Sequence, residues 1–298
     1  MNIFLERYKQ LGQNIIPEKV RIGQAIRINT IKIKTEELLK RMKKENVILV
    51  KIPFLDFGYS VQSTNFSVGA APEHLFGYYY VQETASQIPV QILNPKKDEI
   101  VLDMSAAPGG KTTQIAQYME NKGIITALDV NNMRLFSLRN NIERMGVKNT
   151  IIFQKDAKFV SDLGVKFDKI LLDAPCSGNF AADSKWFDKR KLEDIKNSAK
   201  TQKQLFAAAV EILKDGGELV YSTCSLEPEE DEMVVDWALA EFSDIKLEKV
   251  DLPIGDEGLT EPFGIQLNKS IKNTRRFWPN KTNTQGFFIA KFKKQIQK

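Results

Sequence analysis

The spacing of apolar residues changes character partway along the chain. In the front part AIRINTIKI alternates apolar and polar positions as a half-buried strand does, and TEELLKRMKKENV sets Leu38, Leu39 and Met42 along one side of a helix. The stretch that follows, Ile52 to Glu83, is crowded with Gly, Pro and aromatic residues and predicts an irregular connection. From about residue 86 strand and helix patterns alternate. EIVLDMS (99–105), GIITALDV (123–130), TIIFQKD, KILLDAP and ELVYSTC read as buried strands. Between them GKTTQIAQYME, NMRLFSLRNNIERMG (ended by Gly146) and residues 191–214 read as helices. PEEDEMVVDWALAEF opens with proline and acids, as helix starts do, and GFFIAKF reads as a final strand.

Such alternation predicts an α/β fold: a parallel-dominated sheet with helices on both faces. The expected division is a small front domain over 1–78 and a larger body over 79–298. Ligands of these sheets bind beyond the carboxyl ends of the strands, so functional residues are sought just after strands.

Composition narrows the class. A chain of 298 residues can hold one large α/β domain with a small appendage. No apolar run reaches membrane length and MNIFLERYKQ carries charges where a secretory signal needs an apolar core, so a cytoplasmic protein without membrane contact is expected. Cys176 and Cys224 lack the paired spacing of a zinc site and His74 is the single histidine, so neither a disulfide framework nor a metal is expected. The net charge of +5 is uneven, with 12 Lys/Arg against 5 Asp/Glu in residues 1–51. Phosphate contacts and an ordinary solvated surface both explain that excess.

The strand-end rule singles out several motifs. Asp103 is followed by SAAPGGKT (105–112), and Asp129 ends the next strand 19 residues beyond Gly110. Gly109 and Gly110 permit a tight turn close to a ligand, and an acid ending the second strand suits ribose hydroxyls, so the layout fits an adenosine cofactor. A phosphate-binding P-loop needs glycine where Ser105 stands, and no Gly-x-Gly-x-x-Gly is present. Asp156 and Asp173 close the third and fourth strands, although each also suits a helix cap or a solvated loop. Cys176 follows the fourth strand in DAPCSGN and Cys224 the fifth in YSTCSLEPEE. A lone cytosolic cysteine is usually an inert small hydrophobe, but two at ligand-facing strand ends strain that account.

These motifs resemble the Nop/Sun family, also called Fmu, of RNA cytosine-5 methyltransferases. The resemblance runs from QETASQIPV (82–90) through DMSAAPGGKT, LDVNNMRL, DAPCSG and YSTCSLEPEED to RRFWPNKTNTQGFFIA (275–290), and RINTIK resembles that family's pre-catalytic segment. It implies a Rossmann-like class I methyltransferase sheet plus a small α+β N-terminal domain that binds RNA. It implies that Ser105, Ala106, Ala107, Pro108, Gly109, Gly110 and Lys111 wrap the methionine end of S-adenosyl-L-methionine. Asp129 would bind the ribose, Arg134 contact the same region and Asp156 meet the adenine. Asp173, counted with both the cofactor set and the catalytic set, would hold the amidine edge of the target cytosine. Cys224 would be the nucleophile adding to carbon 6 of the base, with Cys176 assisting release. The implied substrate is tRNA before rRNA, and the implied state a monomer. Ser105 stands where many relatives have cysteine or another small residue, and NFAADSKW after DAPCSG is less familiar, which leaves the substrate loop open.

Three rivals fit less of the sequence. Amino-group methylation would place Asn/Asp-Pro-Pro-aromatic where Asp173-Ala174-Pro175-Cys176 stands. A non-catalytic RNA-binding protein on a methyltransferase body would lack Cys224 or the Asp/Gly set. A Cys176–Cys224 redox switch leaves AAPGGKT unexplained.

Overall fold

The computed structural model describes residues 2–296. Near the front, four short strands form an antiparallel sheet: β1 (Ala25–Ile28), β2 (Ile48–Lys51), β3 (Gly58–Ser63) and β4 (Tyr79–Val81), ordered β2-β3-β1-β4. Helix Thr35–Lys44 covers it through Leu38 and Met42, both fully buried, as its periodicity predicts. The stretch Ile52 to Glu83, expected to be irregular, supplies β3, β4 and the short helix Pro72–Leu75. The reason is length: β4 spans three residues, too few for an alternation to show, and Gly77, two residues ahead of its Tyr-Tyr-Val, reads as a turn. β4 begins at the expected domain division yet pairs with β1, so it closes the small sheet.

Helix Ile3–Gln10 leaves this sheet and packs on the body, with Phe4 against Trp186 at a centroid distance of 4.5 Å and Tyr8 against Trp278 at 6.0 Å. Asn2 caps it, its side chain accepting from the Phe4 amide at 2.9 Å.

The body is built on a nine-stranded sheet. Five strands run parallel: β5 (Ile100–Asp103), β6 (Ile124–Asp129), β7 (Thr150–Gln154), β8 (Phe167–Asp173) and β9 (Leu213–Thr223). Antiparallel strands complete it: β10 (Ile245–Glu248), β11 (Asp256–Glu257), β12 (Arg275–Phe277) and β13 (Phe287–Lys294), with β13 paired to β9. The order β7-β6-β5-β8-β9-β13 reverses direction between β5 and β8. Loops leaving those two strands diverge and open a crevice. The helix expected over 191–214 spans Leu192–Ile212, and β9 starts at the next residue, well before the expected ELVYSTC. PEEDEM begins its helix only at Glu232, leaving Glu227, Glu230 and Asp231 in the preceding turn. Among the described residues no helix is long and apolar enough to cross a membrane.

One seam joins the small sheet to the body. Helix Asn132–Met145 ends at Gly146, and its last carbonyls need partners. Asn29 donates to the Met145 carbonyl at 2.8 Å, and Lys32 donates to that of Arg144 at 2.8 Å. Both side chains also bind carbonyls beside Gly77, Asn29 at Gly77 itself and Lys32 at Phe76, each at 2.8 Å. Gly77 has φ +72°, and a Cβ there would collide with the Arg144 carbonyl. Gly77→Ala should therefore lower unfolding free energy by about 2 kcal/mol or more, measured by urea denaturation. An unchanged midpoint would show that the seam can part without cost.

Candidate active site

A cleft of about 390 Å³ lies beyond the carboxyl ends of β5 to β8. After β5 the chain turns through Ser105–Lys111, with Ala107–Pro108 cis and Gly109 at φ +108°. Gly109 suits this turn because its φ disfavours any side chain, and a Cβ there would press on Leu138 Cδ1 at 3.0 Å. Thr112, in the first turn of helix Gly110–Tyr118, donates to Asp103 at 2.7 Å and ties the turn back to the strand. Burial pushes the Asp103 carboxyl up to about 6, the Thr112 bond pulling the other way.

The expected cofactor residues divide around this turn. Ser105, Ala107, Asp129, Arg134, Asp156 and Asp173 line the cleft. Ala106, Pro108, Gly110 and Lys111 instead line a smaller neighbouring cavity, and Gly109 lines neither. Asp129 is 3% exposed. Its Oδ1 accepts from the Asn131 amide at 2.9 Å, while its Oδ2, 3.3 Å from the Arg134 guanidinium, has no hydrogen bond. Arg134 also donates to the Ala107 carbonyl, bracing the turn from the opposite wall. Asp156 caps the turn after β7 by accepting from the Lys158 amide at 3.0 Å and still lines the cleft.

Lys111 reaches Asp173, its ammonium 2.7 Å from Oδ2, and Ser222 on β9 donates to Oδ1 at 2.8 Å. Burial works against the Lys111 charge, yet Asp173 outweighs it and the pKa is raised. The two thiols meet at the cleft floor, with 2.9 Å between Cys176 Sγ and Cys224 Sγ. Both are free and only partly exposed. The bond to Cys224, then burial, holds the Cys176 thiol well above its ordinary range.

A single carboxylate keeps the two cysteine loops together. Glu230 accepts from the Ser177 amide at 3.0 Å, from the Ser177 hydroxyl, from Ser225 Oγ at 2.9 Å and from Gln202 Nε2 at 2.8 Å. Ser177 follows one thiol and Ser225 the other. Asn179 adds a second tie, donating to the Cys224 carbonyl at 2.7 Å. Neighbouring Asp231 and Glu232 are wholly buried against Arg276, whose guanidinium lies 3.0 Å from Asp231. Sequence reasoning took these acids for a helix start and missed them; the four acids Glu227, Glu229, Glu230 and Asp231 packed into five positions soon after a cysteine were the available signal.

A parallel sheet with its crevice at a strand-order reversal, an acid ending each of β5, β6 and β8 and another just past β7, and a glycine turn after β5 define a Rossmann-like methyltransferase. Residues 90–293 match the family described as 16S rRNA methyltransferase RsmB/F, and residues 3–84 match the N-terminal domain of 16S rRNA methyltransferase RsmF. The chain belongs to the RsmB/F family. It is 39% identical over 274 residues to a tRNA (cytosine(49)-C(5))-methyltransferase of Pyrococcus abyssi, covering 91% of this chain and 88% of that one. A solved methyltransferase homologue from Pyrococcus horikoshii superposes with a TM-score of 0.89 at 44% identity, covering 98% of this chain and 94% of its own. NSun6 from the same organism, solved with SFG, gives 0.84 at 30% identity, covering 99% and 96%. Against other curated relatives the chain spans only part, from 35% to 57% of their length.

Removing the Glu230 carboxylate strands several buried donors at once. Glu230→Ala should cost about 3 kcal/mol or more in chemical denaturation, and Glu230→Gln less, because it keeps one acceptor. A loss under about 1 kcal/mol for the alanine variant would show that the loops hold without it.

Proposed function

We propose that the chain methylates carbon 5 of a cytosine in RNA, with S-adenosyl-L-methionine as donor and tRNA as substrate. The observation that carries this reading is the pair of touching thiols beside the Lys111–Asp173 ion pair, on the floor of a nucleoside-sized cleft. The Pyrococcus abyssi relative, matched over nearly its whole length, supports tRNA; the family description supports rRNA as the second reading.

The cleft suits the cofactor. A buried carboxylate oxygen without a hydrogen bond is costly, and a ribose hydroxyl would satisfy Asp129 Oδ2. Ser105 and Ala107 would face the methionine end, and Asp156 with Lys158 would frame the adenine. Bound there, the cofactor supplies an electrophilic methyl group. That NSun6 was solved with SFG, an adenosylmethionine analogue, agrees with this assignment.

The chain's own residues divide the chemistry in two. The attacking sulfur must give up its proton; the resemblance to the Nop/Sun family assigns attack to Cys224, just past the end of β9, and leaves the second step to Cys176. Addition of the Cys224 thiolate to carbon 6 pushes electron density onto carbon 5 and ring nitrogen 3. The nitrogen edge faces the Lys111–Asp173 pair, whose charges are already in place before the reaction begins. Once carbon 5 carries the methyl, a base must take its proton, the electrons of that carbon–hydrogen bond restoring the double bond between carbons 5 and 6 while those of the carbon–sulfur bond return to Cys224. Cys176, in contact with that sulfur, assists this second step.

The small front domain, over 1–78, binds the RNA. Helix Thr35–Lys44 exposes Lys40, Arg41, Lys43 and Lys44, of which Arg41 is paired with Glu37.

Two experiments test the reading. Incubated with adenosylmethionine and tRNA transcripts, Cys176→Ala should accumulate a denaturation-resistant protein–RNA adduct, and Cys224→Ala should give neither adduct nor methylated RNA. The reverse pattern would exchange the roles, and adducts formed on rRNA fragments alone would move the substrate to rRNA. Separately, affinity for tRNA should fall steeply with salt, and replacing Lys40, Arg41, Lys43 and Lys44 by Ala should flatten that slope. Equal slopes would make the cluster an ordinary solvated face.

A further inference from the structure

Across the Ser105–Lys111 turn from the thiol cleft lies a second cavity, of about 220 Å³, whose Gln82 and Ser86 side no step above uses. Gln82 and Ser86 line one side, Pro108 and Lys111 the other, and Asp173 borders both cavities. Pockets for drug-sized ligands run from about 300 to 1,000 Å³, so this one suits a single planar ring rather than a second cofactor.

Its polar groups are fixed by a chain of amides. Gln114 Nε2 donates to the Gln87 carbonyl at 2.7 Å, which makes Gln114 Oε1 an acceptor. Gln82 Nε2 donates to that oxygen at 3.1 Å and to the Ser86 carbonyl at 3.0 Å. The orientation of the Gln82 amide follows, and its Oε1 is left buried without a hydrogen-bond partner. Gln82 as a whole is 6% exposed, so bulk water does not satisfy that oxygen. Ser86 Oγ accepts from Gln285 Nε2 at 2.8 Å, which leaves its own proton to donate. Glu83, by contrast, is committed: its oxygens take the Ala85 amide at 2.7 Å, the Ser86 amide at 3.3 Å and the Gln285 amide at 3.1 Å. The cavity thus offers one fixed acceptor and one free hydroxyl donor, beside a Lys111 ammonium already paired with Asp173. It also sits on the segment that leads from the small front sheet, through β4, to the catalytic body.

We propose that this cavity receives the base of a nucleotide adjoining the target cytosine, and that Gln82 Oε1 accepts a hydrogen bond from a ring N–H or amino group of that base. The proposal rests on the RNA methyltransferase reading. An acceptor held in place against a ring edge discriminates among bases, because a base that presents the wrong group leaves Gln82 unpaired in the bound state.

The test uses the full chain and a tRNA transcript with the nucleotides on either side of the target cytosine randomised, methylated with adenosylmethionine and read by bisulfite sequencing. Wild-type protein should favour particular bases at one adjoining position by about fivefold, the size of one neutral hydrogen bond. Gln82→Met should level that preference while leaving adenosylmethionine affinity unchanged. Ser86→Ala, a smaller change, should weaken the preference at the same position and serves if Gln82→Met does not fold. Equal preferences in wild type and in the folded variants, or none in wild type at either adjoining position, would overturn the subsite and leave methylation itself intact. Absence of both methylation and adduct with every transcript would instead remove the underlying reading, and the subsite with it.

Discussion

The site depends on one buried carboxylate binding two loops from different strands. Cys176 and Cys224 follow neighbouring parallel strands, whose backbones fix where the loops begin but not where they end. Glu230 supplies the missing constraint by accepting from the residue after each thiol. Burial raises its pKa, and four donors oppose that shift, so the group sits where a loss of any one donor is felt by the rest. The adjacent Asp231 and Glu232 would be intolerable in such surroundings without Arg276, which is itself fully buried and anchored on β12. The late antiparallel strands therefore serve the chemistry: they carry the cation that lets an acidic turn lie beneath the thiols.

The same economy governs the glycine turn. One face of Ser105–Lys111 borders the larger cleft and the other a smaller cavity, with Asp173 lining both. Asp173 and Lys111 belong to the partition between them. One short turn therefore shapes two pockets at once, and a shift in its backbone would be felt in both.

How much of this could be read from the sequence follows from where each signal resides. β5, β6 and β8 are buried through most of their length, so their residues form apolar runs, and the acids ending them stand out by contrast. The order of SAAPGGKT, DAPCSG and STCS needed no coordinates. β4, β10, β11 and β12 were not legible: they span two to four residues, and β12 is Arg-Arg-Phe, whose burial depends on acids some 44 residues away. Glu230 was invisible for a related reason. An acid ahead of a helix reads as a cap, and only its partners at Ser177 and Gln202 reveal a tie between loops. The split of the glycine turn into two faces likewise lives in the fold, since adjacent residues of one motif point to different cavities.

Helix Ile3–Gln10 has a consequence for the order of assembly. Arg7 binds Glu227, 220 residues further on, and Tyr8 rests on Trp278. During synthesis this helix emerges long before the surface that receives it, and eight residues are too few to hold a helix in water unaided. Its apolar side must wait, exposed, while most of the body is made. The small sheet, whose strands lie within about 60 residues of one another, can close in the meantime. Helix Ile3–Gln10 can therefore dock only after residues 227 to 278 are made, as a late seal over the acidic turn beneath the two thiols.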